Sequence, residues 1–322
     1  MCLERIKKIS VIGAGIMGSG IAQSFIMNGY PVILNDIDES TLTVAREHIK
    51  KNLLSFCEAN IIKKNVMTSI IDRLKMSSDL GSAVNSADFV VEAASEVLSL
   101  KQEIFEKVEF FSSENTIIAT NTSSLTLKDI SIRVRNRSRL IITHWFNPPH
   151  IVPVVEVVKG DETSDETMEA TYRLLKIIRK VPVRLNREIP GFLVNRIQMA
   201  LIREVLDLYD KGIASASEID AAVKGSIGFR LASIGPLMTA DLGGIKLWLK
   251  VCENLFPHIC SSPDLPVALC NLAEQGLDGV KSGKGFYDYK IDFTKSDLDQ
   301  AIKKRDMEFL ERLKSLYWYV DN

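Results

Sequence analysis

The chain has 322 residues, of which 46% are hydrophobic and 25% charged, and its formal net charge at pH 7 is −1. Such a length predicts two domains with cores large enough to be stable without disulfide or metal staples. The near-zero charge gives no electrostatic reason to expect nucleic acid or an anionic membrane as a partner, so a small molecule is the favoured ligand.

The first 36 residues follow a strand–loop–helix–strand pattern. β-Branched residues over 8–12 predict a strand, and apolar residues at helical spacing over 16–28 predict a helix that ends at Gly29. A second strand over 31–34 leads to Asp36. One βαβ unit of this size is typical of a mononucleotide-binding half.

The loop between the first strand and the helix carries a G-x-G-x-x-G motif made by Gly13, Gly15 and Gly18. Missing side chains there allow a tight turn, a close approach of a pyrophosphate and packing of the helix on the sheet. Ile16 and Met17 open the helix, whose positive N-terminal end attracts phosphate. The motif and these two residues form the predicted phosphate-binding part of a dinucleotide site.

An acidic residue, Asp36, follows the second strand. Its carboxylate would accept hydrogen bonds from the ribose hydroxyls of the cofactor and repel a 2′-phosphate, so NAD is favoured over NADP. Asp38 is the less favoured alternative, because its position predicts that it caps the next helix.

Helices and short apolar strands alternate from there to residue 185, which predicts a Rossmann-type α/β fold with a doubly wound, mostly parallel sheet. A long helix is predicted over 39–60 and a basic helical arm over 63–78. The further predicted strands are 87–92, 116–119, 140–144, 152–158 and 181–185, and the further helices are 101–111, 127–134 and 163–179.

The alternation ends at the segment 186–191, where we place a domain boundary. Beyond it the spacing of apolar residues is helical over 192–209, 217–224, 237–252 and 266–274, which predicts an all-helical second domain. The predicted division is residues 1–187 for the dinucleotide-binding domain, 188–290 for a helical substrate and dimerisation domain, and 291–322 for an amphipathic helical tail.

A histidine and a glutamate indicate hydroxyl oxidation. His144 closes a predicted strand at its carboxyl end, where open α/β sheets place ligands, and imidazole suits the role of base while a hydride leaves. Glu156 lies within an otherwise apolar strand, so if it faces inward it needs a partner. If 144–156 folds as two neighbouring strands, Glu156 holds the His144 ring; otherwise His144 is a structural group and Glu156 faces solvent.

The combined motifs resemble the L-3-hydroxyacyl-CoA dehydrogenase family over nearly the whole chain, to Tyr287. They are the glycine loop, Asn121-Thr122-Ser123-Ser124-Leu125, His144-Trp145-Phe146-Asn147-Pro148, Glu156, and Pro190-Gly191-Phe192-Leu193-Val194-Asn195-Arg196.

By this resemblance His144 is the catalytic base and acid, and Glu156 orients it. The resemblance implies that Ser123 and Asn195 hydrogen-bond the substrate oxygen, although Ser123 could instead cap a turn and Asn195 could bridge helices. It also implies a homodimer formed through the helical domain. The cofactor-lining residues that it implies are Glu96, Lys101, Ser123, Asn147 and Lys281.

Two substrate classes are indicated, because residues 228–236 depart from the acyl-CoA pattern and look more similar to the lambda-crystallin, gulonate and carnitine dehydrogenase branch. Arg230 could clamp a free carboxylate, or it could be a solvated side chain near a helix end. Lys50, with neighbouring lysines, could instead meet CoA phosphates, or it could be merely solvated. We therefore expect NAD-dependent oxidation of a short-chain L-3-hydroxyacyl-CoA, with a free small hydroxy acid (gulonate-, carnitine- or pyridine-carboxylate-type) as the alternative and a non-catalytic NAD-binding protein as the third possibility.

The five cysteines are scattered and lack the paired spacing of zinc or disulfide frameworks. No stretch of the sequence predicts a signal peptide or a membrane span. We expect a cytoplasmic protein without a metal site.

Overall fold

The computed structural model describes residues 6–289 and 295–318, which form two compact units. The sheet unit comprises the described residues up to Leu193 together with those from Asp306 onward, and the helical unit comprises those within Val194–Arg305. The sheet unit extends past the predicted boundary at residue 187, because Phe192 is buried in its core and the Leu193 N–H donates to Glu156.

Eight strands form one sheet in the order β3-β2-β1-β4-β5-β6-β7-β8. Neighbouring strands are parallel except β6 and β7, which are antiparallel. The strand order reverses between β1 and β4, and a crevice at the carboxyl ends of such strands is where doubly wound sheets bind ligands. The strands are β1 (Ile9–Ile12), β2 (Val32–Asn35), β3 (Leu74–Ser77), β4 (Phe89–Glu92), β5 (Ile117–Thr120), β6 (Leu140–Trp145), β7 (Val154–Val158) and β8 (Val181–Leu185).

Helices connect the strands, so the predicted Rossmann-type sheet is confirmed. Alternate residues of the same strands face two separate apolar clusters, with Val91 in one and Val90 in the other. The helices are α1 (Ile16–Met27), α2 (Glu39–Glu58), α3 (Met67–Ile71), α4 (Leu80–Val84), α5 (Leu98–Phe111), α6 (Leu127–Ile130) and α7 (Asp165–Ile177).

The predicted helical arm over 63–78 is wrong in its second half, which contains the edge strand β3. β3 pairs in parallel with β2, opposing Leu34 with Met76. Only Leu74 of its four residues is buried. An edge strand needs no long apolar run, so its short and mostly polar sequence has no clear period.

The described part of the helical unit contains helices and two isolated bridges, Gly279 to Lys284 and Lys284 to Asp288. The helix predicted over 237–252 is interrupted at Gly244, whose φ of +93° ends one helix before the next begins. The helices are α8 (Val194–Asp210), α9 (Ala216–Ala222), α10 (Phe229–Leu231), α11 (Pro236–Gly243), α12 (Ile245–Leu255) and α13 (Val267–Glu274), with a π-helical segment Val223–Gly228 before α10.

The tail forms the helix α14 (Lys295–Leu316), and the predicted start of the tail at residue 291 lies outside the described residues. From Asp306 onward α14 belongs to the sheet unit, where Leu310 and Leu313 are buried against Phe56 and Ile151. No helix in the described ranges is both long and apolar enough to cross a membrane.

Candidate active site

The glycine loop has the geometry of a phosphate cradle. A methyl group at Gly18 would lie 1.7 Å from the Gly13 carbonyl oxygen, and one at Gly13 would lie 2.7 Å from the Ala93 oxygen, so these two glycines allow close packing. A methyl group at Gly15 would meet nothing within 4 Å. Gly15 therefore borders open space at the start of α1, where a pyrophosphate would approach the backbone.

Asp36 is tied to this loop. Its Oδ2 accepts a hydrogen bond from the Ala14 N–H at 2.8 Å, and its Oδ1 accepts one from the Asp38 N–H at 3.2 Å. The expected role of Asp38 as a helix cap is confirmed, because its carboxylate accepts from the Ser40 N–H at the start of α2. That cap includes the Ser40 hydroxyl and lowers the pKa of Asp38.

A cleft of about 400 Å³ runs from the glycine loop past Asp36. Part of its lining consists of apolar side chains, called the apolar wall below, and the predicted site did not include them. Two of the wall residues, Leu100 and Ile104, are four apart on α5, a helical spacing that could have identified them. The residues of this wall are Ile37, Leu80, Leu100 and Ile104.

His144 and Glu156 are directly opposite each other on the antiparallel strands β6 and β7. The His144 Nδ1 and the Glu156 Oε2 are 2.7 Å apart, and the Glu156 side chain is 0% exposed. The solvent-facing alternative for Glu156 is therefore excluded. An ionised carboxylate only accepts hydrogen bonds, so with Glu156 ionised Nδ1 is the donor of this pair and Nε2 is the ring nitrogen available to a ligand.

Two contacts fix this pair further. The other oxygen of Glu156, Oε1, accepts from the Leu193 N–H at 2.9 Å. The His144 ring packs edge-on against Phe146, with centroids 4.5 Å apart, and lies 5.4 Å from the ring of Phe192. The imidazole is thus held by both hydrogen bonding and packing.

Ser123 lies on an exposed turn after β5 that is organised by Glu96. The Glu96 Oε1 accepts from the Thr122 hydroxyl and from the N–H groups of Ser123, at 2.9 Å, and Ser124, at 3.2 Å. Burial raises the pKa of Glu96, but these hydrogen bonds and the Lys101 ammonium outweigh it, so the net pKa lies below its usual value.

Lys101 and Asn147 differ in exposure: Lys101 is buried and Asn147 is exposed. Lys101 is 1% exposed, and its ammonium lies against the buried carboxylate of Glu92 and the carboxylate of Glu96, whose side chain is 36% exposed. Asn147 is exposed and follows β6, two residues after Trp145. The Trp145 N–H donates to the Asn121 side chain at 2.9 Å, a link between the β5 and β6 ends that the sequence analysis did not assign.

The remaining predicted site residues lie on other elements. Lys50 is on α2 and pairs with Glu47 at 2.7 Å. Three lie in the helical unit: Asn195 near the start of α8, Arg230 on α10, and Lys281, which pairs with Asp278 at 3.1 Å. Arg230 is exposed, and its guanidinium donates to the Ser226 hydroxyl at 3.2 Å.

No group of three or more His, Cys, Asp or Glu side chains among the described residues could hold a metal ion. Four cysteines in these ranges are free thiols: Cys57, Cys252, Cys260 and Cys270.

Comparison with known proteins identifies relatives of two substrate classes. Residues 8–189 match the 3-hydroxyacyl-CoA dehydrogenase NAD binding domain, and residues 191–289 match the C-terminal domain of the same family. The crystal structure of (S)-3-hydroxybutyryl-CoA dehydrogenase from Ralstonia eutropha is 32% identical, with a TM-score of 0.73 over 88% of this chain and 99% of that one.

The second class acts on a pyridine carboxylate. A 5-formyl-3-hydroxy-2-methylpyridine 4-carboxylate 5-dehydrogenase from Mesorhizobium japonicum is 29% identical over 310 residues, 96% of this chain and 98% of that protein. A crystal structure of an enzyme of this name, described as an NAD⁺-dependent dismutase, is 27% identical with a TM-score of 0.87 over 97% of this chain and 98% of that one.

Proposed function

This chain belongs to the 3-hydroxyacyl-CoA dehydrogenase family, and from that premise we propose that it oxidises the 3-hydroxyl of a short-chain L-3-hydroxyacyl-CoA reversibly to the ketone, with NAD. The observation that carries the chemistry is the buried His144–Glu156 pair, 2.7 Å apart at the carboxyl end of the sheet. A pair held in this way is a general base whose second ring nitrogen is free for a substrate hydroxyl.

The chain's own residues divide the work. His144 Nε2 takes the proton of the substrate hydroxyl during oxidation and returns it during reduction, while Glu156 keeps the proton on Nδ1 and stabilises the imidazolium. Ser123 and Asn195 donate hydrogen bonds to the substrate oxygen without competing as bases. NAD, when bound, supplies the hydride acceptor.

The cofactor site is supported by the open space at Gly15 and by the cleft beside Asp36. The glycine loop with Ile16 and Met17 would hold the pyrophosphate, Asp36 the adenosine ribose, and the apolar wall the adenine ring. The rest of the cofactor would be contacted directly by four residues: Glu96, Ser123, Asn147 and Lys281. The buried Lys101 would act by holding Glu96.

A free small hydroxy carboxylate is the second candidate substrate. It is supported by the greater structural similarity to the pyridine-carboxylate enzyme, with a TM-score of 0.87 against 0.73 for the acyl-CoA enzyme, and by coverage of 97% of the chain against 88%. On this hypothesis Arg230 pairs bidentately with the substrate carboxylate. On the acyl-CoA hypothesis, Lys50 and its neighbouring lysines meet the CoA phosphates.

The deciding experiment is NADH oxidation with acetoacetyl-CoA against free acetoacetate and related keto acids. The wild type is compared with Arg230→Ala and Arg230→Lys, since lysine keeps the charge but not the planar fork. Turnover of the thioester that survives both substitutions supports the acyl-CoA substrate. Turnover only of free acids, lost in Arg230→Ala and weakened in Arg230→Lys, supports the carboxylate, whereas NAD binding without turnover on either panel contradicts both.

We further propose that the helical unit forms a homodimer. Only Leu206 and Ile219 are buried among the described residues of this unit, while large apolar side chains such as Phe229 and Leu237 are exposed. Apolar surface of this extent is typical of an interface. A cytoplasmic location and a role in fatty acid metabolism are also proposed, the first on the free cysteines and the second on the acyl-CoA substrate.

A further inference from the structure

We propose that Glu92, a residue with no role in the scheme above, is a positioning residue for Ser123 and acts through Lys101 and Glu96. The inference rests on the proposed function, because it assumes that Ser123 binds the substrate oxygen. A contact between Glu96 and the cofactor would not by itself require the ion pair that Lys101 makes with the buried Glu92. A role in positioning Ser123 explains that pair.

Glu92 is the last residue of β4 and is 0% exposed. Its Oε1 accepts from the Lys101 ammonium at 2.8 Å and from the Ala94 N–H at 2.7 Å. Its Oε2 accepts from the Thr120 hydroxyl at 2.6 Å and again from Lys101 at 3.0 Å. Both oxygens therefore have partners, and the carboxylate is fixed at the end of a central strand.

Lys101 links the fixed Glu92 carboxylate to Glu96. Its ammonium contacts both oxygens of Glu92, the Glu96 Oε2 at 3.2 Å and the Ala94 carbonyl at 3.4 Å. A lysine has three N–H donors, so these acceptors use the whole group. A buried ammonium surrounded in this way is a rigid point charge, and it fixes where the Glu96 carboxylate can lie.

Glu96 transmits the constraint to the serine turn. With Oε2 held by Lys101, its Oε1 is free to accept from the N–H groups of Ser123 and Ser124 and from the hydroxyl groups of Thr122 and Ser124. One carboxylate oxygen thus accepts the hydrogen bonds that hold the turn together. The orientation of the Ser123 hydroxyl depends on that oxygen staying in place.

The charge balance explains why the network needs a carboxylate at residue 92. Two carboxylates share one ammonium, so Glu96 can pair with Lys101 through one oxygen and still use the other for the turn. In Glu92→Gln the amide donates as well as accepts and no longer neutralises Lys101. Glu96 then becomes the only carboxylate on the buried ammonium, and we expect it to rotate toward Lys101 and release Ser123.

A double-mutant cycle tests this route. Glu92→Gln, Ser123→Ala and the double variant are compared by kcat for NADH oxidation with acetoacetyl-CoA, or with acetoacetate if only the free acid is turned over. We expect each single variant to lower kcat by about tenfold or more, and the double variant to be no slower than Ser123→Ala. Multiplied effects in the double variant, or an unchanged kcat in Glu92→Gln, would overturn the inference. A full kcat in Ser123→Ala would instead refute the proposed role of Ser123, and the inference with it.

Glu109→Gln is the matched control, because Glu109 lies on α5, the helix that also carries Lys101, and pairs with the buried Arg139 outside the network. Its kcat should equal that of the wild type, and a loss like that of Glu92→Gln would count against the inference. A second variant, Glu92→Gln with Lys101→Met, removes the unbalanced charge. We expect its urea unfolding midpoint to recover while kcat does not, and recovery of both would show that Glu92 serves only stability.

Cofactor binding gives a readout that does not depend on turnover. The dissociation constant of NADH, measured by fluorescence, should rise in Glu92→Gln by a smaller factor than kcat falls, because Gly15 and Asp36 are untouched and only the proposed cofactor contacts of Glu96 and Ser123 are altered. A large rise in that constant with unchanged kcat at saturation would place Glu92 in cofactor binding and overturn its role at Ser123.

Discussion

Glu156 binds the His144 ring with one oxygen and the Leu193 backbone with the other. In Glu156→Gln the neutral amide cannot stabilise an imidazolium. Its NH₂ group can also donate to Nδ1, which favours the tautomer with the proton on Nε2. We expect kcat to fall by about 10²- to 10⁴-fold. Steady-state kinetics check this, with Glu188→Gln as the control: Glu188 is a half-buried carboxylate that accepts from the Leu127 N–H. Equal losses in both variants would contradict the catalytic role of Glu156.

Asp36 and Asp38 are two acids of similar position but different contacts. Replacing Asp36 by Asn should lower the preference for NAD over NADP, because the charge that repels a 2′-phosphate is lost. Asp38→Asn keeps an N-cap acceptor for α2 and should leave the preference unchanged. The ratio of kcat/KM for the two cofactors measures this, and a shift confined to Asp38→Asn would refute the assignment.

Lys180 is a buried lysine behind the loop that follows His144. Its ammonium donates to the carbonyls of Pro149 at 2.6 Å and Val152 at 2.9 Å, and burial lowers its pKa to about 7. In the unfolded chain the group keeps its ordinary pKa of 10.5. Between these two values the unfolded state binds more protons than the folded state, so the free energy of unfolding rises with pH through this window and is lowest below it.

The test compares the wild type with Lys180→Met, in which all other titrating groups are retained. From pH 7 to pH 9 the wild type should gain about 2 kcal/mol of unfolding free energy relative to the variant. Urea denaturation at several pH values measures the difference. Parallel pH profiles for the two proteins would show that Lys180 titrates at the same pH in both states.

At the scale of elements, two glycines of the β1–α1 unit have different expected roles: Gly15 serves cofactor binding and Gly18 serves packing. Gly15→Ala should fold as well as the wild type, because a methyl group there meets no protein atom within 4 Å and the backbone φ is −64°. It should nevertheless weaken NAD binding by tenfold or more, since the methyl group would occupy the approach of the pyrophosphate. Thermal unfolding and calorimetric titration with NAD⁺ measure the two properties.

Gly18→Ala is the contrasting variant. A methyl group 1.7 Å from the Gly13 carbonyl cannot be accommodated without moving α1 away from the loop. We therefore expect the unfolding midpoint itself to fall. If Gly15→Ala lost stability and Gly18→Ala did not, the assignment of the two glycines would be reversed.

At the scale of the whole molecule, the end of α14 stabilises the sheet unit although it is far from it in sequence. Leu310 is fully buried among Phe56, Ala59 and Ile151. Leu310→Ala should lower the free energy of unfolding by about 2–5 kcal/mol. Ile302→Ala, on the same helix at an exposed position, should cost well under 1 kcal/mol. Urea denaturation distinguishes them, and similar losses would mean that the burial of Leu310 contributes little.

The structure groups the end of α14 with the sheet unit, and this differs from the predicted domain division. Amphipathic spacing predicts that α14 has an apolar face, but it cannot show what covers that face. The sequence therefore predicts the tail as a separate part, whereas in the structure its described residues from Asp306 to Trp318 belong to the sheet unit.

The sequence by itself determined the Rossmann-type sheet and the glycine loop with Asp36, and it offered the pairing of His144 with Glu156 as one of two alternatives. Each depends on short-range information: a period, a motif, or two strands joined by a short turn. Only the tertiary structure revealed the edge strand β3, the apolar wall of the cleft and the Glu92–Lys101–Glu96 network. Their residues are brought together by strand order and burial, and burial is what makes an unpaired charge costly and a paired one rigid.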